Sequence, residues 1–205
     1  MGSKLVPVLF VSALFLAPLT ASSRNPIARI NRAAPPIALK DADGNKRTLE
    51  EFKGTWVVLE WTNFDCPFVK KQYAPGAMQA RQEAYTADGV TWLSICSSAP
   101  GKQGHYTGEA LKARLAKEKW AGTAYLVDDR GAIGRNYGAQ TTPHVFIINP
   151  KGVLVYQGGI DDLRSTKPED IFISTNYVVE TLAAGLDERP IPNPKTSPYG
   201  CSVKY

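Results

Sequence analysis

One cysteine is placed for nucleophilic chemistry. Cys66 follows the apolar residues 56–61 and directly precedes Pro67. Proline suits the first turn of a helix, where its missing N–H leaves no hydrogen bond unmade. We therefore expect Cys66 at a helix N-terminus, where unpaired N–H groups and the positive end of the helix dipole stabilise a thiolate over a thiol. The sequence predicts a redox nucleophile here, and an inert buried thiol is the alternative.

Two further cysteines, Cys96 and Cys201, are candidates for a resolving thiol. Cys96 ends a predicted strand and also fits the role of a small core residue, which we favour. Cys201 lies in a mobile, proline-rich C-terminal tail, from which it can fold back onto Cys66 or pair with a second chain. A disordered tail without a redox role is the alternative for Cys201. Three is an odd number of cysteines, so at least one is free, mixed with another thiol or bonded between chains.

Glu60 is a lone carboxylate in the apolar segment that precedes Cys66. Burial without a partner would raise its pKa. A general acid or base for thiol exchange needs a pKa tuned in this way. The sequence thus predicts a proton shuttle, and a strand-end residue that reaches solvent is the alternative.

His144 is one of two histidines in the chain. Beside Cys66 it would pair with a thiolate or help to hold a soft metal ion such as copper. One cysteine and one histidine make a poor metal site without further ligands. We therefore favour a packing or surface role for His144 and predict no cofactor. A copper or other soft-metal carrier that uses Cys66 and His144, with or without Cys201, is the alternative.

The N-terminal residues have the character of a secretory signal. Residues 1–23 contain Lys4, an apolar stretch at 5–19 and small residues at 21–23. The stretch is shorter than the roughly 20 residues that span a bilayer. We expect a mature protein in the periplasm or otherwise secreted, with an uncleaved anchor as the alternative. The net charge of +5 is spread along the chain without a long basic run, which argues against a nucleic-acid partner.

The remaining chain predicts one α/β domain. We expect an extended leader over 24–36, a domain over 37–187 and a proline-rich extended tail over 188–205. The domain begins strand–helix–strand–helix–strand, with its first helix broken at 75–76, and closes with an antiparallel hairpin and a helix. This order predicts a central mixed sheet with helices on both faces. Cys66 and Cys96 fall at the carboxyl ends of its strands, where reactive residues collect.

Residues 37–187 resemble the thioredoxin-fold redoxin family, which includes thioredoxin-like periplasmic proteins and peroxiredoxins. Cys66-Pro67-Phe68-Val69 lies where the family has Cys-X-X-Cys. Thr142 and Pro143 lie where the family has a cis-proline beside the active site. Glu60 lies where thioredoxins carry a buried carboxylate that moves protons. The resemblance implies a thioredoxin fold with its active site at these residues.

Residues 62–71, 159–162 and 198–205 are similar to a peroxiredoxin-like branch, related to alkyl hydroperoxide reductase and thiol-specific antioxidant, that keeps only the first motif cysteine. Val69 replaces the second cysteine and aligns with the peroxidatic cysteine of peroxiredoxins. The resemblance implies an antioxidant thiol oxidoreductase in which Cys66 performs thiol–disulfide exchange or peroxide-linked oxidation.

The partners implied are a thiol or disulfide protein or a small-molecule thiol reductant. Thr142 and Pro143 would shape an edge that pairs with an extended partner chain. A thiol-dependent binding domain without turnover is a further alternative.

Overall fold

The computed structural model describes residues 1–2 and 28–205. Apart from residues 1–2, the predicted signal sequence and the first part of the predicted leader lie outside the described residues. Within the described ranges, no helix is long and apolar enough to cross a membrane.

The described residues form nine strands, five α-helices and two short 3₁₀-helices. The strands are β1 (Ala38–Asp41), β2 (Lys46–Thr48), β3 (Val57–Trp61), β4 (Thr91–Cys96), β5 (Ala124–Val127), β6 (Thr141–Thr142), β7 (His144–Ile148), β8 (Leu154–Gly158) and β9 (Cys201–Ser202). The helices are α1 (Pro67–Tyr73), α2 (Ala77–Ala87), α3 (Gly108–Lys117), α4 (Ala132–Tyr137) and α5 (Tyr177–Leu186), with 3₁₀-helices at Leu49–Phe52 and Pro168–Phe172.

Seven strands form one mixed sheet in the order β2-β1-β5-β4-β3-β7-β8. The central strands β3, β4 and β5 run parallel, whereas β7 pairs antiparallel with both β3 and β8. Every residue of β3, β4 and β7 is buried, as expected of strands that are covered on both faces. Helices α1, α2, α3 and α5 contribute to the apolar cluster on one face, and α4 contributes to the cluster on the other. The prediction of a central mixed sheet with helices on both faces is confirmed.

The break in the first helix also lies where the sequence predicts it. Helix α1 ends at Tyr73, and α2 begins after Gly76, whose φ of 81° is left-handed. Glycine adopts this conformation without steric cost, so the chain can turn between the two helices. The break allows α1 to be a short helix that begins directly after Cys66.

The segments on either side of the domain both form backbone hydrogen bonds with it. The end of the leader lies along β8, where the Asn31 backbone N–H donates to the Leu154 carbonyl at 2.8 Å. The C-terminal tail ends in β9, which pairs antiparallel with β6. The sequence predicts no strand at β9, and the expectation that Cys201 lies in a mobile tail is wrong. Burial of Tyr199 and the pairing of β9 hold this segment against the domain.

A buried ion pair joins α1 to the C-terminal segment. The Lys71 ammonium donates to Asp161 Oδ2 at 3.0 Å, to the Leu163 carbonyl at 2.9 Å and to the Tyr199 hydroxyl at 3.2 Å. The Tyr199 hydroxyl also donates to Asp161. Both charged side chains are at most 1% exposed. A charge in such a place is tolerable only with a partner of opposite charge and filled hydrogen bonds.

We expect Asp161→Ala to destabilise the fold strongly. The substitution leaves the Lys71 ammonium buried without a counter-charge, which costs about 3–5 kcal/mol of unfolding free energy. The neighbouring Asp162→Ala is the matched control, because Asp162 is exposed and accepts one backbone hydrogen bond, from Thr175; it should cost no more than about 1 kcal/mol. Urea denaturation of both variants measures the difference. Equal losses would show that the Lys71 ammonium does not require the charge of Asp161 to remain buried.

Candidate active site

Cys66 is the N-cap residue of α1, as the sequence predicts. Its carbonyl accepts hydrogen bonds from the backbone N–H groups of Val69 at 3.0 Å and Lys70 at 2.9 Å, and Pro67 is the first helical residue. A turn closed by the Cys66 N–H and the Asn63 carbonyl at 2.9 Å connects it to β3. The end of a buried strand and a proline-initiated helix therefore fix the position of the sulfur.

The Thr142–Pro143 loop lies directly beside this sulfur. In its thiol form, Cys66 donates through Sγ to the Thr142 carbonyl at 3.1 Å. The Thr142–Pro143 peptide bond is cis, as the resemblance implies. Thr142 lies opposite Cys201 in the pairing of β6 with β9. Three of the predicted site residues, Cys66, Thr142 and Cys201, thus meet at one point.

Donors from three segments surround the Cys66 sulfur. The side chain has no exposed surface, and this burial raises the pKa of the thiol. The opposing contributions come first from the thiol and backbone N–H of Cys201, then from the Thr142 side chain and the Val69 backbone N–H. The donors prevail, so the pKa of Cys66 is lowered from its ordinary value. The thiolate is the nucleophilic form of cysteine.

Cys201 responds in the opposite direction. Burial, a hydrogen bond to Cys66 and the charge of Cys66 together raise the pKa of Cys201 to about 11. Cys66 is therefore the more acidic thiol of the pair, and the first proton that the pair loses comes from Cys66.

An ion pair offsets the negative charge next to the cysteine. Arg114 Nη1 lies 2.7 Å from Asp65 Oδ1, and the Tyr106 hydroxyl donates to Asp65 Oδ2 at 3.0 Å. Partial burial raises the pKa of Asp65, but Arg114, Tyr106 and Lys70 lower it further than burial raises it. Asp65 is therefore a paired carboxylate and places no uncompensated charge beside Cys66. Arg114 lies on α3, far along the chain, and no local pattern indicated it.

Glu60 is completely buried, so the alternative in which it reaches solvent is wrong. Burial raises the pKa of this carboxyl, and four side-chain donors oppose the increase. These donors are Tyr73, Gln82, Trp92 and Ser94, with distances between 2.9 and 3.2 Å. Among the described residues, none of the hydrogen bonds of Glu60 reaches Cys66. The link between them is structural: Tyr73 lies at the end of the helix that Cys66 begins.

Cys96 belongs to the same apolar cluster as Cys66 but forms its hydrogen bond with a different loop. Its thiol is buried and donates to the Gly104 carbonyl at 3.3 Å. Burial raises the pKa of Cys96, which makes it less reactive at neutral pH. Its surroundings favour the interpretation as a small core residue over that as a resolving thiol.

His144 lies on the opposite face of the sheet from Cys66. Strand alternation places it with Phe146, at 4.5 Å between ring centroids, whereas Val145 between them joins the cluster that contains Cys66. The Gln140 N–H donates to His144 Nδ1 at 3.3 Å, and burial lowers the pKa of the imidazole to about 4. The packing role that we favour fits this geometry, and the metal site of Cys66 with His144 does not. In the described ranges, no group of three or more His, Cys, Asp and Glu side chains is arranged to hold a metal ion.

The sheet order, the buried parallel strands and the cysteine beside a cis-proline loop define a thioredoxin-like fold, and comparison with solved structures confirms it. An uncharacterized conserved protein from Geobacillus kaustophilus superposes with a TM-score of 0.73 at 27% identity, over 87% of this chain and 93% of that one. A hypothetical protein from Sinorhizobium meliloti 1021 gives 0.71 at 24% identity, over 86% and 94%. The thioredoxin domain of a thiol-disulfide oxidoreductase from Bacteroides vulgatus gives 0.50 at 20% identity, over 71% and 96%.

The chain belongs to the AhpC/TSA family, whose model matches residues 30–157. This match confirms the redoxin resemblance. It contains Cys66, Thr142 and Pro143, whereas Cys201 and β9 lie beyond its end. No curated protein matches the chain in sequence.

We expect the pKa of Cys66 to depend on the donor at position 201. Cys201→Ala removes the thiol that donates to the Cys66 sulfur, so the pKa of Cys66 should rise and its alkylation at neutral pH should slow. Cys201→Ser is the matched control, because a hydroxyl keeps a donor at this position. The pH dependence of alkylation by a small iodoacetamide, with Cys66→Ser as the blank, measures both. An equal Cys66 pKa in the two variants would contradict the role of the Cys201 thiol as a donor to Cys66.

Proposed function

We propose that this protein is a thiol–disulfide oxidoreductase in which Cys66 is the nucleophile and Cys201 is the resolving thiol. The observation that carries the proposal is the contact between the thiols of Cys66 and Cys201, at the point where β9 pairs with Thr142, with the pKa of Cys66 lowered and that of Cys201 raised. Membership of the AhpC/TSA family supports redox chemistry at this site.

Oxidation of the pair proceeds in two exchange steps. The Cys66 thiolate attacks one sulfur of a disulfide RS–SR, forms a bond to it and releases the other sulfur as RS⁻. Cys201 then loses its proton and attacks the Cys66 sulfur, and the second RS⁻ leaves. The protein gives up two electrons, and the disulfide is reduced to two thiols. Val69 leaves no cysteine within the motif, so the second thiol comes from the C-terminal segment.

When the Cys66–Cys201 disulfide is reduced, an external thiol attacks the sulfur of Cys201. Cys201 is half-buried, whereas Cys66 has no exposed surface, so an external thiol reaches Cys201 first. Attack at Cys201 expels the Cys66 thiolate, which is the better leaving group because its pKa is the lower of the two. A second external thiolate then attacks the sulfur of the first, forms an external disulfide with it and releases Cys201, which takes up a proton, so both protein thiols are restored.

Two neighbouring groups assist the exchange. The Thr142–Pro143 loop holds the Thr142 carbonyl and side chain against the Cys66 sulfur. Glu60 takes up or releases a proton as Cys66 changes state, because burial raises the pKa of its carboxyl above the ordinary value and so helps it to hold a proton. In this role Glu60 acts through the hydrogen-bonded Tyr73 or a water molecule rather than by direct contact.

The proposed location is the periplasm or another secreted compartment. The support is the sequence of residues 1–23, with Lys4 followed by an apolar stretch and small residues. An oxidising compartment is also where a two-cysteine exchange pair is supplied with disulfides.

A hydroperoxide is a second candidate oxidant, which the AhpC/TSA match favours. The Cys66 thiolate would take one oxygen from ROOH to become a sulfenic acid while ROH leaves after protonation. The Cys201 thiol would then condense with the sulfenic acid to form the disulfide and water. This route would give the protein its predicted antioxidant role, and it ends in the same Cys66–Cys201 bond.

We expect mild oxidation with a small disulfide to produce one intramolecular bond between Cys66 and Cys201. Mass mapping without reductant should find this link and no retained adduct. Cys201→Ser should stop at a mixed disulfide on Cys66, and Cys66→Ser should lose the reaction. Cys96→Ala should behave like the unaltered protein.

The same variants separate the alternatives. A link between Cys66 and Cys96, or an interchain bond through Cys201, would contradict the proposed pair. Parallel reactions with a hydroperoxide and with Cu(I) identify the other functions: peroxide turnover that depends on Cys66 would favour the second oxidant. Stoichiometric copper binding without turnover would favour a metal carrier. If the protein shows neither exchange, peroxide turnover nor copper binding, a thiol-dependent binding domain is the remaining function.

We expect Glu60→Gln to change the pH–rate profile of exchange at Cys66. A group that transfers protons contributes on the order of 10²-fold at the lower end of its range, and the variant should lose about this factor together with one inflection. Ser94→Ala is the control, because it removes one donor to the carboxylate but keeps the carboxylate itself. Stopped-flow measurements of exchange across pH give the profile. A profile identical to that of the unaltered protein would rule out the proton shuttle.

A further inference from the structure

The strand edge beside Cys66 is already occupied by the chain itself. β6 is a two-residue strand next to the reactive sulfur, and an open strand edge of this kind pairs with extended peptides. Here its partner is β9: Thr141 lies opposite Ser202, and Thr142 lies opposite Cys201. The ladder continues with the Val203 N–H, which donates to the Gln140 carbonyl at 3.0 Å. The C-terminal segment therefore takes the place at which a partner chain would dock.

The approach of this segment depends on a glycine. A Cβ atom on Gly200 would lie 2.1 Å from the Thr142 carbonyl oxygen, and the φ of Gly200 is 142°. Any other residue at this position would push β9 away from β6 and strain the backbone. Gly200 thus permits the close contact that brings Cys201 to Cys66.

The segment is anchored on both sides of Cys201. On one side, Tyr199 is buried, its ring packs against Phe68 at 5.8 Å and its hydroxyl joins the buried Lys71–Asp161 pair. On the other side, the Tyr205 hydroxyl donates to the Ala139 carbonyl at 2.8 Å, and the Arg135 guanidinium lies 4.3 Å from the centroid of the Tyr205 ring. A strand held at both ends does not fray as a free terminus does.

We propose that residues 199–202 are an internal partner strand, which reserves the β6 edge for Cys201 and restricts the oxidant at Cys66 to a small-molecule disulfide. This inference rests on the proposed function. A small disulfide needs only a local opening around the sulfur, whereas an extended protein chain requires displacement of the whole of β9. The chemistry is the exchange given above: Cys66 bonds to one sulfur of the small disulfide, the other sulfur leaves as a thiolate, and Cys201 displaces the first.

A glycine substitution tests the role of the strand without altering any cysteine. Gly200→Ala introduces the Cβ that collides with the Thr142 carbonyl and so opens the edge. Gly152→Ala is the matched control, because Gly152 also has a positive φ, of 77°, but a Cβ atom added there would meet no atom within 4 Å, and Gly152 lies in the β7–β8 turn. Both variants carry the cost of alanine at a positive φ, and only the first disturbs β9.

The experiment compares two disulfide probes on the reduced full-length protein. One probe is a small symmetrical aromatic disulfide, and the other is a short extended peptide whose single cysteine carries the same aromatic thiol. Release of the aromatic thiolate gives both rates, with Cys66→Ser as the blank. We expect the unaltered protein and Gly152→Ala to prefer the small probe by at least about tenfold, and Gly200→Ala to lose most of this preference.

Equal rates for the two probes in the unaltered protein, or equal preferences in the two glycine variants, would overturn the inference and leave the proposed function intact. Rates no higher than the Cys66→Ser blank with both probes would overturn the proposed function and the inference with it. Amide hydrogen exchange of residues 199–205 in the unaltered protein is a second measurement that needs no variant. Protection of the Val203 amide supports the internal strand, and exchange at the rate of a free chain contradicts it.

Discussion

The short pairing of β6 with β9 is the constraint on which the site depends. A thiolate with no exposed surface is costly unless hydrogen-bond donors replace the lost water. The donors to Cys66 come from α1, from β6 and from β9, and only the last of these lies outside the part of the chain that the family model matches. The strand pairing therefore brings the Cys201 thiol beside Cys66, where the donors of Cys201 help to lower the pKa of Cys66.

The buried ion pair has a related role. Burying a lysine and an aspartate costs about as much free energy as their attraction returns, so the pair adds little to the overall free energy of unfolding. It does determine which arrangement of the segments satisfies both charges. Lys71 lies on the helix that Cys66 begins, and the hydroxyl of Tyr199, two residues before Cys201, completes the cluster. The same polar contacts thus fix the relative positions of the helix that Cys66 begins and the strand that carries Cys201.

Local signals in the sequence were sufficient for most of the fold and for half of the site. Pro67 after an apolar strand predicted Cys66 at a helix N-terminus, and Pro75-Gly76 predicted the break between α1 and α2. The resemblance supplied the cis bond at Pro143, which the structure contains. These features are set by residues that lie within a few positions of one another, so their spacing along the chain carries the information.

The sequence did not predict the contacts between segments that are far apart along the chain. The β6–β9 pair and the partners of Asp65 and Asp161 join residues that no periodicity connects. The tail was expected to be extended because of its prolines, but two paired residues are too short for a strand pattern. His144 pairs with Trp61, and this register determines which face of the sheet its side chain lies on. The sequence did not determine the register. Long-range pairing, rather than local propensity, decided which candidates reached Cys66.

The most direct test of the account is an equilibrium titration of the protein in glutathione redox buffers, with free thiols counted by mass spectrometry after acid quenching. If Cys66 and Cys201 form one exchange pair, both thiols should disappear together in a single two-electron step without a persistent glutathione adduct. A stable one-to-one glutathione adduct on Cys66, with Cys201 still reduced beside it, would contradict the account.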